Sequence, residues 1–424
     1  MNRKNFILKV TSSVLVTYVV LILTGFSLIY AVHHIPFEKI KENVEKSANK
    51  LHQEGYYDIF YHDYHWPIGE YMQYVLDGWT DAVMIMEAAN IEENGDALTT
   101  AMLNKRICQK DDQTPYDIVA GYPHYREENG TYVYGRYWHG YLVTLIPALT
   151  IMDLTQIRWM NFILFSLLIV AISYFSYKRL HLATAVLFLL TLLMGVFLVV
   201  PYSMQFSSVF YVSFSATLCL LLFKKIWQQP IWSFVFFFIV GALTSYVDLL
   251  TAPLITLGFP LIYYGLLKNE EVSLKDIILQ CVMWSFGYLM MWSAKWGIAY
   301  LITGFDMIGN AVEEVNVRLG TNDDTSVFKV FGRVIMRMPT QMKYIFMMAL
   351  AYWIGASKQR EQVRKNLWLV FVALIPIVWL CLLKNHTYVH LFMTWRNLYI
   401  SVFAVLMFVY RTTNNRCIAS ENKK

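Results

Sequence analysis

Apolar and polar positions fall in long blocks along this chain rather than alternating in short steps. Ten apolar runs stand out, at about 8–32, 159–176, 183–200, 206–223, 231–247, 252–267, 277–302, 341–356, 367–383 and 397–410. A helix that crosses a hydrocarbon core takes about 20 apolar residues. The pattern therefore predicts an all-α polytopic membrane protein with about ten transmembrane helices. A polar stretch of roughly a hundred residues follows the first run, where a large extracytoplasmic loop with juxtamembrane helices is expected. The segment His139–Met152 is apolar but short. At about 1.5 Å per residue it falls short of a ~30 Å core, so it reads as juxtamembrane or re-entrant.

That reading decides the topology. With this segment on the outer side, the clusters Lys178-Arg179, Lys224-Lys225, Lys268, Lys358 to Lys365 and Arg411 all fall inside, with Arg3, Lys4 and Lys9. This is the positive-inside bias of a cell-membrane protein with both termini cytoplasmic. The expected units are a signal-anchor helix (1–32), an extracytoplasmic loop (33–157), a transmembrane core (158–302), a second outer loop (303–340) and C-terminal helices with a short tail (341–424).

Composition agrees. Hydrophobic residues make up 57% of the 424 positions and charged residues 15%, against about 25% charged in soluble chains. The 29 Tyr and 13 Trp suit interfacial belts. The net charge of +5 lies in clusters between apolar runs, so no nucleic-acid partner is expected. Five Cys form neither a disulfide framework nor a zinc pattern. No phosphate-binding Gly motif stands in a suitable setting, so no nucleotide cofactor is expected.

The unusual chemistry gathers on the outer side, with nine of the ten His; His181 is the exception. Asp77 and Asp81 stand at i and i+4, able to share one helix face. They could serve as general base or hold a divalent cation, and an ordinary solvated helix is the plain alternative. Arg136 and His139, among Tyr and Trp, could grip a lipid phosphate or simply anchor the interface. Asp248, between two apolar runs, asks for a cavity or a partner. Lys384, His390 and Arg396 precede the last run and make a cationic rim against the positive-inside bias. Arg158 opens the second run, and Lys295 is the clearest mid-run charge.

This layout resembles the GT-C superfamily of integral-membrane glycosyltransferases. The likeness lies in about residues 1–270: an anchor helix, an acidic outer loop, a short apolar segment, then a run opening at Arg158 and closing on Lys178-Arg179. The resemblance implies a polyprenyl-phosphate-linked sugar as donor and a glycan, lipid or protein acceptor, in bacterial cell-envelope assembly. It implies Asp77 or Asp81 as catalytic base or metal ligand. Arg158, with Arg136, His390 and Arg396, would hold the carrier phosphate. A transporter or flippase of lipid-linked sugars is the rival reading, and a surface-polysaccharide polymerase or ligase a third.

Overall fold

The computed structural model describes residues 3–55, 74–89, 96–111, 113–121, 124–269, 272–319 and 326–413. These are almost wholly helical. A 30-residue helix α1 (Arg3–Val32) comes first. Six short helices follow: α2 (Lys41–Glu54), α3 (Gly78–Ala89), α4 (Ala97–Leu103), α5 (Pro115–Ala120), α6 (His124–Asn129) and α7 (Leu142–Leu149). A two-residue strand pair, Arg106–Ile107 with Thr131–Tyr132, joins the chain just before α5 to the chain just after α6. Then come α8 (Leu154–Arg179), α9 (Leu182–Met194), α10 (Met204–Leu222), α11 (Lys224–Gln228), α12 (Pro230–Val247), α13 (Leu254–Lys268) and α14 (Leu274–Thr303). The chain continues through α15 (Met307–Leu319), α16 (Val327–Arg337), α17 (Thr340–Gly355), α18 (Arg360–Lys365), α19 (Leu367–Leu382), α20 (Lys384–Val389), α21 (Leu391–Thr394) and α22 (Leu398–Thr413).

Among the described residues, six helical segments are long and apolar enough to cross a membrane: 4–32, α8, α10, α12, α14 and the stretch Leu391–Thr413. Three shorter apolar helices, α9, α13 and α19, lie among them. The architecture is compatible with multi-pass insertion. Helix ends follow local chemistry. Asp153 and Gln156 form a capping box that starts α8 several residues before its apolar run, and Ser273 with Asp276 does the same for α14. Gly304, at φ +70°, ends α14 in the left-handed region. Helix α9 is 13 residues long and ends at Met194, short of the end of the 183–200 run. The chain then turns at Val196 into a 3-10 segment, Phe197–Tyr202, that contains Pro201. The 303–340 stretch is largely two helices, α15 and α16, rather than plain loop.

The closest helix pair is α12 with α14, which meet through glycines. A Cβ on Gly241 would lie 1.9 Å from the Trp284 carbonyl oxygen, and one on Gly287 2.1 Å from that of Phe238. Small residues let backbones approach this closely. Gly241→Leu should therefore destabilise the protein by about 3 kcal/mol or more, read as an earlier thermal unfolding of the detergent-solubilised chain. An unchanged transition would show that the pair separates easily.

The short helices have a core of their own. Residues of α2, α3, α4, α5 and α7 pack together with Ile29 and Val32 at the end of α1, Leu154 and Ile157 at the start of α8, Met204 at the start of α10 and Ala299 near the end of α14. They form a cap across one end of the bundle. Helix α7 is eight residues long, about 12 Å, and packs on α1 and α3 within this cap.

Candidate functional site

Helix α3 organises the cap. Its sequence, GWTDAVMIMEAA, has apolar residues on every face, and a helix apolar all round must be buried. It packs between α2, α5, α7 and the start of α10. The plain reading of this stretch as a solvated helix is thereby overturned. Burial carries its carboxylates inside: Asp77 is 1% exposed, Asp81 0% and Glu87 1%.

Asp77 and Asp81 then take different roles. Both oxygens of Asp81 are engaged at the start of α10. Oδ1 accepts from Gln205 N at 3.0 Å and Ser203 Oγ at 3.3 Å, and Oδ2 accepts from Met204 N at 3.2 Å. A carboxylate suits the free N–H groups at a helix N-terminus. Arg158 Nη2 stands 3.9 Å from Asp81 Oδ2. The same guanidinium donates through Nη1 to both Glu54 oxygens, at 2.7 and 2.8 Å. Asp81 is thus a clamp between α3, α8 and α10.

Asp77 caps α3, accepting from Thr80 N through Oδ1 at 3.0 Å. Its Oδ2 is buried without a partner among the described residues. Burial raises its pKa above the ordinary carboxylate range, while the Thr80 hydrogen bonds and the nearby Arg396 oppose that rise. Arg396 is itself 1% exposed. It lies 3.6 Å over the Phe206 ring and donates to Phe392 O at 2.7 Å, with Nη2 unpartnered. Asp248 accepts from Thr251 N at 2.9 Å, and its Oδ2 has no partner. Gln205 joins the two sides by donating to Thr251 Oγ1. These groups form a buried polar seam where α3 meets the ends of α8, α10 and α12 and the start of α22.

Two of the expected residues lie elsewhere. Glu87 is ten residues from Asp77 along α3, about 15 Å away, and there a second network forms. Glu87 Oε2 stands 3.3 Å from His139 Nδ1 and accepts from Asn104 Nδ2. His139 Nε2 donates to Tyr134 O at 3.0 Å, which leaves Nδ1 to accept from Tyr141 Oη at 3.0 Å. Burial pushes the Glu87 pKa well up and the His139 pKa well down, which favours the uncharged form of each. Lys295 donates to Ala101 O at 3.0 Å beside it. Arg136 stacks 4.6 Å over Tyr134 and pairs with Glu314 at 3.4 Å. His139 and Arg136 therefore bind the cap together and do not form part of the seam.

The cationic rim is corrected as well. Arg396 is buried in the seam. His390 packs against the His386 ring, and burial with the nearby Arg318 lowers its pKa to about 4, so it is uncharged at neutral pH. His62 and His65 lie outside the described residues. Sequence reading passed over Glu54, Glu87, Ser203 and Gln205. Of these only Glu87 carried a signal, as one charge inside an apolar run. Among the described residues no group of three or more His, Cys, Asp or Glu could hold a metal ion.

Burial pushes the Asp81 pKa up to about 7. The folded state then holds a proton that the unfolded state releases near pH 4, so Asp81 makes stability fall as pH rises from about 4 to 7. Asp248, also raised to about 7, acts in the same direction. His139, held neutral, acts in the opposite one. Asp81→Asn should flatten part of that decline in unfolding temperature; a profile identical to the parent would exclude Asp81 as its source.

No known family model, curated protein or solved structure matches this chain.

Proposed function

We propose that this chain is a membrane glycosyltransferase of the GT-C kind, which moves a sugar from a polyprenyl-phosphate carrier to an acceptor hydroxyl at the cap end of the bundle. The observation that carries the reading is the seam. Buried groups of both signs, Asp77, Asp248, Arg158 and Arg396, each keep a polar atom without a partner among the described residues. Buried polar atoms are nearly always satisfied, and the exceptions call for a functional explanation.

A second feature fits a lipid-linked donor. A cavity of about 310 Å³ runs between α16, α17, α19 and α22, lined by Val330, Val334, Phe346, Leu398 and Val402 among others. Its lining is almost wholly apolar, and Leu398 lies two residues from Arg396. A prenyl chain in this groove would bring its phosphate toward the Arg396 guanidinium.

In the reaction, Asp77 Oδ2 takes the proton of the acceptor hydroxyl as its oxygen attacks the anomeric carbon. The bond from that carbon to the phosphate oxygen breaks, and its electron pair leaves on the phosphate. Arg396 and Arg158 stabilise the growing negative charge. Attack from the face opposite the phosphate inverts the anomeric centre.

The test is transfer of labelled sugar from a polyprenyl-phosphate donor to a membrane acceptor extract, in proteoliposomes. Arg396→Ala should slow it by roughly 100-fold. Absence of transfer with any carrier, together with movement of the carrier between leaflets, would replace this reading with a flippase.

A further inference from the structure

We propose that the cleft at the end of the bundle opposite the cap binds a phosphate-bearing anion, and that its occupant is an anionic lipid headgroup. Helix α8 begins at the cap near Arg158 and ends 21 residues later at Arg179, about 31 Å away. There it meets the start of α9, the end of α13 and the short helix α11 around a cleft of about 810 Å³. Lys178, Arg179 and Lys224 line it, and no carboxylate is among its described lining residues.

Basic residues at helix C-termini have ordinary explanations in the helix dipole and the positive-inside bias. Those explain neither the cleft nor its unsatisfied donors. Arg179 donates through Nη2 to Leu222 O at 3.0 Å, while its Nη1 is buried with no partner among the described residues. Trp227 Nε1, also in the cleft lining, has no hydrogen-bond partner among the described residues either. A phosphate accepts from a guanidinium or an indole N–H, and the two lysines add charge. Lipid is the favoured source because Tyr177 and Leu182, also lining the cleft, are more than half exposed and offer apolar surface to acyl chains. Lys178 lies 5.8 and 5.7 Å over the Tyr174 and Tyr177 rings, as a lysine at a lipid interface would.

Glu270 and Glu271 follow Asn269 in the chain and lie outside the described residues, so the test uses the full chain with both in place. The solubilised protein is offered phosphatidylglycerol or phosphatidylcholine, and retained lipid is counted by native mass spectrometry. Phosphatidylglycerol should be retained preferentially. Lys178→Ala with Lys224→Ala should weaken that retention about tenfold, and Arg179→Lys, which keeps charge and fold but loses the fork, should weaken it too. Lys358→Ala with Arg360→Ala, at charges outside the cleft, should leave it unchanged. Equal loss in that control, or no preference for the anionic lipid, overturns the proposal. Thermal stabilisation by inorganic phosphate without lipid retention overturns the lipid assignment.

Discussion

Asp77→Asn is expected to lower sugar transfer by about 100- to 10,000-fold while leaving the fold intact. The substitution is nearly isosteric. Its amide oxygen still accepts from Thr80 N and so keeps the cap of α3. What it loses is the ability of Oδ2 to accept a proton. A pH profile separates this from a structural effect. Burial raises the Asp77 pKa, and a base works only when deprotonated, so transfer by the parent should climb with pH through a value above the ordinary carboxylate range. The residual transfer of Asp77→Asn should lack that limb. A variant that keeps full activity, or loses it while keeping the limb, would show that another group takes the proton. Asp81→Asn is the contrast, because it disturbs the start of α10 and should act on stability more than on the profile.

Glu54→Ala should have the second-largest effect, a loss of about 3–5 kcal/mol in stability. Glu54 accepts both bonds that Arg158 Nη1 makes, and both side chains are under a tenth exposed. Removing the carboxylate leaves a buried guanidinium with Asp81 at 3.9 Å as its nearest partner. The cost comes from the stranded charge rather than from the lost pair alone. Adding Arg158→Met should therefore recover much of the stability, since an apolar chain of similar length needs no partner. The measurement is a double-mutant cycle on the unfolding of the solubilised protein. Simple additivity of the two changes would show that the pair is not coupled. Transfer should stay low in the double variant even where stability returns, because Arg158 also serves the leaving phosphate in the proposed reaction.

Much of the helical layout was legible in the chain alone, because long apolar blocks and capping boxes such as Asp153 with Gln156 are local in sequence. The candidates Asp77, Asp81, Arg158, Asp248 and Arg396 were legible too, as charges set beside apolar runs. Their roles were not. Asp81 became a clamp only because the first turn of α10, more than 120 residues later, brings its free N–H groups to it. Asp77 Oδ2 has no hydrogen-bond partner among the described residues. Arg158 found Glu54, 104 residues away, and no periodicity reveals such a pair. His139 and Arg136 looked like neighbours of the acidic pair, yet they meet α3 at its other end, beside Glu87. Local pattern decides which residues are helical and which must leave water. Which buried charge meets which donor depends on how distant helices pack, and that is settled only in three dimensions.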